Sequence, residues 1–199
     1  LCDRRQRQMC IRDREAIEQH QFKIYFQPKY SIKNREITGA EALIRWEREN
    51  GEVLSPDSFI PVYENNGKIV ELDFYVFETV VKYLAKNQKE GRNQVPISIN
   101  ASSLHAMDSQ TITLYMDILK KYDVDPSLVE IELTETAVVS EYESVRELFD
   151  EFQLHGIKTA MDDFGSGYSI LNTIVDIPVD VIKIDRGFIT SCLESDRGI

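Results

Sequence analysis

Histidine and cysteine, the residues that most often build zinc and transition-metal sites, number only three each among 199 residues and lie far apart. His20, His105 and His155 form no ligand cluster, and His155 beside Gly156 reads as the last residue of a helix. Cys2, Cys10 and Cys192, odd in number and scattered, suggest neither a disulfide framework nor a zinc site, which fits a reducing compartment. Basic charge is short as well: 23 Lys and Arg against 34 Asp and Glu leave a formal net charge of -11, with no local basic cluster to offset it. A DNA or RNA polymer or an anionic membrane is therefore a poor main partner, and a phosphate-bearing substrate would need bound cations. No apolar run approaches the roughly 20 residues that span a bilayer and no signal-peptide pattern opens the chain, so the expected location is cytoplasmic. The glycines form no Walker loop, and Ser102-Ser103 lacks a neighbouring His–Asp arrangement, which leaves little support for a serine nucleophile.

What is present is the balance of a globular domain: 42% hydrophobic and 29% charged residues, enough for a sizeable core. Leu1 to Arg14 is arginine-rich and lacks helical or strand periodicity. Met9 to Arg14 resembles a translated sequencing adaptor, the alternative being a basic N-terminal arm or linker helix, and residues 1–14 are set apart from residues 15–199. Phe22, Ile24 and Phe26 alternate with polar neighbours as a strand, Lys33-Asn34-Arg35 turns, and Ile37 to Trp46 returns, which predicts a hairpin. A short helix begins at Ser55-Pro56, and the spacing predicts a long one over Lys68 to Glu90, stopped by Gly91. The strand Val95 to Ile99, the helix Thr111 to Tyr122, the strand Val129 to Glu135 and the helix Glu141 to His155 follow. After these come a strand over Gly156 to Met161, a helix starting near Tyr168 and a strand from Val179 to Ile184. Strand and helix alternate without a linker, so an α/β fold with a parallel sheet is expected.

The stretch Met161 to Tyr168 carries two adjacent carboxylates, Asp162 and Asp163, from the end of an apolar strand into a glycine-rich turn. If both converge, their repulsion calls for a hard divalent cation such as magnesium or manganese. Read alone, the stretch is equally an Asp-rich loop in which Asp163 or Ser166 caps a helix. Glu41 and Arg45 lie within an otherwise apolar strand, about 13 Å apart in extended chain, so each needs another partner: a metal for Glu41 and a phosphate for Arg45. Asn100, Glu132, Glu135, Asp162, Asp163, Lys183 and Asp185 all fall at or near the C-terminal ends of predicted strands, the face that carries the site in a β/α barrel.

Together, Gln27-Pro28, Glu41-Ala42-Leu43 with Arg45-Trp46, Phe59-Ile60-Pro61 with Glu64, Asn100, Glu132 to Glu135, Asp162 to Gly165 and Lys183-Ile184-Asp185 resemble the EAL-domain phosphodiesterases of bacteria. The resemblance implies a variant TIM-type (β/α) barrel that uses two Mg2+ or Mn2+ ions to hydrolyse cyclic di-GMP to linear pGpG. It implies Glu41, Asn100, Glu132, Asp162 and Asp163 as metal ligands, with Asp162 bridging, and Lys183 beside the attacking water. Gln27, Leu43, Arg45 and Asp185 would contact substrate, and Glu135 would brace the loop Phe164 to Tyr168. A silent cyclic di-GMP receptor is the alternative; an unrelated barrel lyase or isomerase fits the rim acids but not the ordered motifs. The family continues with a glutamate-bearing strand and a glutamine-glycine strand beyond the segment that ends at Asp185, and such barrels take about 250 residues. The expectation is thus an incomplete barrel, inactive as this segment alone, with hydrolysis belonging to the whole domain. A homodimer and an upstream GGDEF or sensory domain are compatible with the resemblance.

Overall fold

The computed structural model describes residues 16–17, 19–107, 110–166 and 176–194. The segment Leu1 to Arg14 and the helix expected near Tyr168 lie outside the described residues. Helical residues 16–17 precede an antiparallel hairpin, β1 (Phe22–Ser31) and β2 (Glu36–Glu47), extended by the two-residue β3 (Val53–Leu54). A 3-10 turn at Pro56–Ser58 leads to α1 (Ile60–Asn65) and the long α2 (Ile69–Lys89). Next come β4 (Ile97–Asn100), a 3-10 turn at Ser103–Met107, α3 (Thr111–Tyr122) and β5 (Val129–Thr134). Then α4 (Glu135–Ser140), α5 (Tyr142–Leu154), β6 (Lys158–Phe164), β7 (Val181–Ile184) and α6 (Arg186–Glu194) follow. Among the described residues the strands form one curled half-barrel sheet in the order β1-β2-β4-β5-β6-β7, with β3 on β2. All pairs from β2–β4 to β6–β7 are parallel, as the strand–helix alternation predicts. No described helix is long and apolar enough to cross a membrane.

The strand period of two divides the sheet into an apolar face and a polar one. Phe22, Ala42, Trp46, Ile97, Ile99, Val129, Ile131, Leu133 and Met161 are buried. Val76, Phe77, Val80, Val81 and Leu84 of α2, Tyr115 and Leu119 of α3, and Val145, Leu148, Phe149 and Phe152 of α5 cover much of that face. Each such side chain is worth about 1.5–3 kcal/mol on full burial, so this layer is the main source of stability. A second cluster, Phe22, Trp46, Phe59, Tyr63, Ile69 and Leu72, seals the N-terminal hairpin against α1 and α2, and Trp46 Nε1 donates to Gln21 Oε1 at 2.9 Å.

Two expectations shift by a few residues for physical reasons. The strand expected through Glu135 ends at Thr134, whose Oγ1 accepts from Ala137 N and caps α4, so Glu135 starts a helix instead of ending a strand. The strand expected over Gly156 to Met161 runs from Lys158 to Phe164 instead and takes in Asp162 and Asp163, because Gly156, at φ +81, is still turning the chain out of α5 in the left-handed conformation that glycine tolerates best. His105 belongs to no group of metal-ligating side chains among the described residues. It is buried between Phe74 and Tyr115, with Nε2 3.0 Å from Asp73 Oδ2. Burial raises the Asp73 carboxyl pKa, and the hydrogen bonds with His105 and Ser102 N oppose that rise. Through the Ser102 contact of 2.8 Å, Asp73 anchors the chain just after Asn100.

Candidate metal and phosphate site

The polar face holds Gln27, Glu41, Asn100, Glu132 and Asp162 because each lies at the correct parity on its strand. Gln27 pairs with Glu41 between β1 and β2, Glu41 with Ser98 between β2 and β4, Asn100 with Glu132, and Thr134 with Asp162. Parity therefore carries Glu41, Glu132 and Asp162 from three strands to one place, where one carboxylate oxygen of each lies within 4.8 Å of the others. Lys183, from β7, reaches into the same point. Its ammonium lies 3.0 Å from Glu41 Oε2, 2.8 Å from Glu132 Oε2 and 2.7 Å from Asp162 Oδ2. Asn100 Nδ2 donates to the other oxygen of Glu41 at 3.2 Å.

Below this point lies a second cation that sequence reasoning missed. Lys29 Nζ bonds Ser98 Oγ and stands 2.8 Å from Glu130 Oε1 and 2.9 Å from Glu132 Oε1. The signal was the shared parity of Glu130 with Glu132 on β5; that Lys29 reaches them from β1 is a tertiary fact. Glu132 has a fully buried side chain, and its two oxygens are divided between Lys29 and Lys183. Burial disfavours both ammonium charges, but the hydrogen-bonded carboxylates outweigh it, so both lysines have raised pKa values. Even so, the four carboxylates Glu41, Glu130, Glu132 and Asp162 face two ammonium groups. The residual negative charge and the all-oxygen donors fit a hard divalent cation taking the place where the Lys183 ammonium sits.

Asp163 stands apart from the trio. The β6–β7 register shifts between Met161 and Phe164, and Asp163 takes φ +56, a left-handed conformation that costs a residue with a Cβ about 1–2 kcal/mol. Its N–H donates to Asp162 Oδ1 at 2.8 Å, while its own side chain is left exposed. Partial burial raises its carboxyl pKa, the charges of Asp162 and Asp185 add to the rise, and Lys183 opposes it. Glu135 Oε2 accepts from Gly165 N at 2.8 Å, tying α4 to the turn that follows the two aspartates. Gly165 is at φ +92, and a Cβ there would meet the Phe188 ring at 2.5 Å, so this turn admits glycine alone.

The residues expected to touch substrate ring this centre. Gln27 is exposed opposite Glu41, and Leu43 and Arg45 continue the same face of β2. Arg45 Nη1 donates to the Ile44 carbonyl at 2.8 Å. Asp185 Oδ1 accepts from Phe188 N at 2.9 Å and caps α6. Beside the rim, a cleft of about 390 Å³ runs between β2 and α1, lined in part by Leu43, Pro61, Glu64, Asp73, Asn100 and Glu132.

Residues 12–198 match the EAL domain family model. The chain belongs to the EAL domain family. The signaling protein YkoW of Bacillus subtilis is 34% identical over 88% of this EAL chain, and the probable cyclic di-GMP phosphodiesterase PdeB of Escherichia coli is likewise 34% identical over 88%. The chain spans 22% and 34% of those two proteins. Among solved structures, the PaMucR phosphodiesterase in complex with c-di-GMP superposes with a TM-score of 0.85 at 28% identity, over 94% of this chain and 76% of that one. The EAL enzyme Bd1971 in its cGMP-bound form gives 0.82 at 26% identity, over 97% and 54%. The half-barrel sheet is thus the barrel-like EAL fold over the described strands.

Proposed function

We propose that this EAL domain, in its whole parent protein, hydrolyses cyclic di-GMP to linear pGpG in the bacterial cytoplasm, with Mg2+ or Mn2+ held by Glu41, Asn100, Glu132 and Asp162. The observation that carries this reading is the convergence of Glu41, Glu132 and Asp162 on one point already occupied by a cationic group. The kinship with a probable cyclic di-GMP phosphodiesterase and the likeness to a c-di-GMP complex support the choice of substrate. Divalent ions at such a site lower the pKa of water and neutralise the phosphodiester charge.

The chain's own residues account for the rest. Arg45, whose guanidinium is engaged only by a neighbouring carbonyl among the described contacts, is suited to grip a phosphate oxygen. Gln27 and Leu43, beside it on the same face, bear on the guanine-ribose framework, and Asp185 on the far side of the rim offers an acceptor. Lys183, beside the three carboxylates, would orient the attacking water through its ammonium donors. Asp163 would hold a second ion, and Glu135 holds the Gly165 backbone so that the aspartate pair keeps its position. The test is turnover of cyclic di-GMP by the full-length parent with either metal, run beside Asp162→Asn. Metal-dependent pGpG release that Asp162→Asn reduces at least a hundredfold, with the fold retained, supports the reading. Binding without turnover in both metals replaces it with a receptor.

A further inference from the structure

Glu132 is the one member of the carboxylate trio with no solvent exposure, so what holds its second oxygen decides how it can act. That oxygen, Oε1, belongs to Lys29, which also bridges Glu130 Oε1 at 2.8 Å and Ser98 Oγ. Ser98 Oγ donates to Glu130 Oε1 at 2.7 Å and completes the group. The route taken by Lys29 is built into the sheet. Lys29 pairs with Gly39 on β2, and its side chain lies over that glycine: a Cβ on Gly39 would stand 3.6 Å from Lys29 Cδ and 3.1 Å from the Pro96 carbonyl. A glycine at this register position lets a β1 lysine cross β2 and reach β5.

We propose that Lys29 is a positioning residue for the metal site: by holding Glu132 Oε1 and sharing its charge with Glu130, it leaves Glu132 Oε2 turned toward Glu41 and Asp162. This rests on the reading of the trio as a cation site. Without Lys29, Glu130 and Glu132 would stand two residues apart on one face of β5 with no shared counter-charge, and Glu132 would turn either oxygen inward. Residues that orient a metal ligand in this way typically contribute 10–100-fold to metal affinity.

Lys29→Met alone leaves buried charge uncompensated and is expected to cost stability, so the deciding variant is Lys29→Met/Glu130→Gln. It removes one charge of each sign, so the net charge beside the trio is unchanged and no unpaired buried charge is left. Mn2+ affinity is measured by electron paramagnetic resonance on the full-length parent and the double variant, with circular dichroism to verify the fold. Asp162→Asn serves as the site control. The expected result is Mn2+ affinity about 10–100-fold weaker in the folded double variant, with half-saturating Mn2+ for turnover rising by the same factor. Affinity within threefold of the parent overturns the role of Lys29 while leaving the metal site standing. A parent whose Mn2+ binding is unaltered by Asp162→Asn overturns the metal-site reading itself.

Discussion

Replacing Lys183 with methionine keeps the unbranched stem, one atom shorter, and removes the ammonium from between Glu41, Glu132 and Asp162. Breaking a buried ion pair by removing one partner costs about 3–5 kcal/mol. Here Glu132 is fully buried, but the Glu41 and Asp162 side chains are each 19% exposed and Lys183 is 24% exposed, so the lower end applies, about 3 kcal/mol. For a chain of this length each kcal/mol moves the melting temperature by about 2–4 °C, giving a drop of about 6–12 °C in chelator. A divalent ion binding the vacated carboxylates restores this: at a hundred times its Kd it returns about 2.7 kcal/mol. The parent should gain less from the same ion, because there the ion must first displace Lys183. Differential scanning fluorimetry of both proteins, in EDTA and across a Mn2+ titration, reads the effect directly. A variant melting within about 2 °C of the parent in EDTA, or equal Mn2+ shifts in both proteins, would refute the claim that Lys183 and the metal share one place.

Gly165→Ala should destabilise the chain by about 2 kcal/mol in urea unfolding, since φ +92 and the Phe188 ring both oppose a Cβ. Arg45→Ala should lower kcat/KM for cyclic di-GMP in the parent about 10–100-fold, the loss of a charged hydrogen bond worth about 1.5–3 kcal/mol, with the melting temperature nearly unchanged. Hydrogen bonds from Lys121 and Tyr122 pull the Glu78 pKa from 4.5 to about 2. Its stabilisation is therefore complete above the unfolded value of 4.5 and is lost as pH falls toward 2. Glu78→Gln should accordingly unfold more easily than the parent at pH 6 by no more than about 1 kcal/mol, with the gap closing by pH 2, because the group is open to solvent.

Alternation in Phe22 to Phe26 and in Val129 to Leu133 made the strands legible, and helical spacing in Thr111 to Tyr122 located α3 to the residue. The gathering of the acids was legible in part: Glu132 and Asp162 stand near the C-terminal ends of β5 and β6, which a parallel sheet brings to one rim, whereas Glu41 lies in the middle of β2. Less visible was how Asp163 leaves that rim: a register shift and a positive φ break the alternation locally, and neither is written in residue type. Glu135 extended the strand pattern of β5, yet the Thr134 cap made it helical. Lys29 drew no reading from the sequence, because nothing local reveals a side chain that crosses Gly39 to a strand a hundred residues away. The pairing of His105 with Asp73 joins a turn to the long helix α2 and follows only from packing.

The most direct test of the central claim is a crystal structure of this EAL domain grown with Mn2+, with anomalous difference density locating the ion. The account predicts a peak bounded by Glu41, Glu132 and Asp162, the Lys183 ammonium displaced from these carboxylates, and Lys29 still bonded to Glu132 Oε1. Lys183 still seated on all three carboxylates at saturating Mn2+, with the anomalous peak elsewhere, would contradict it.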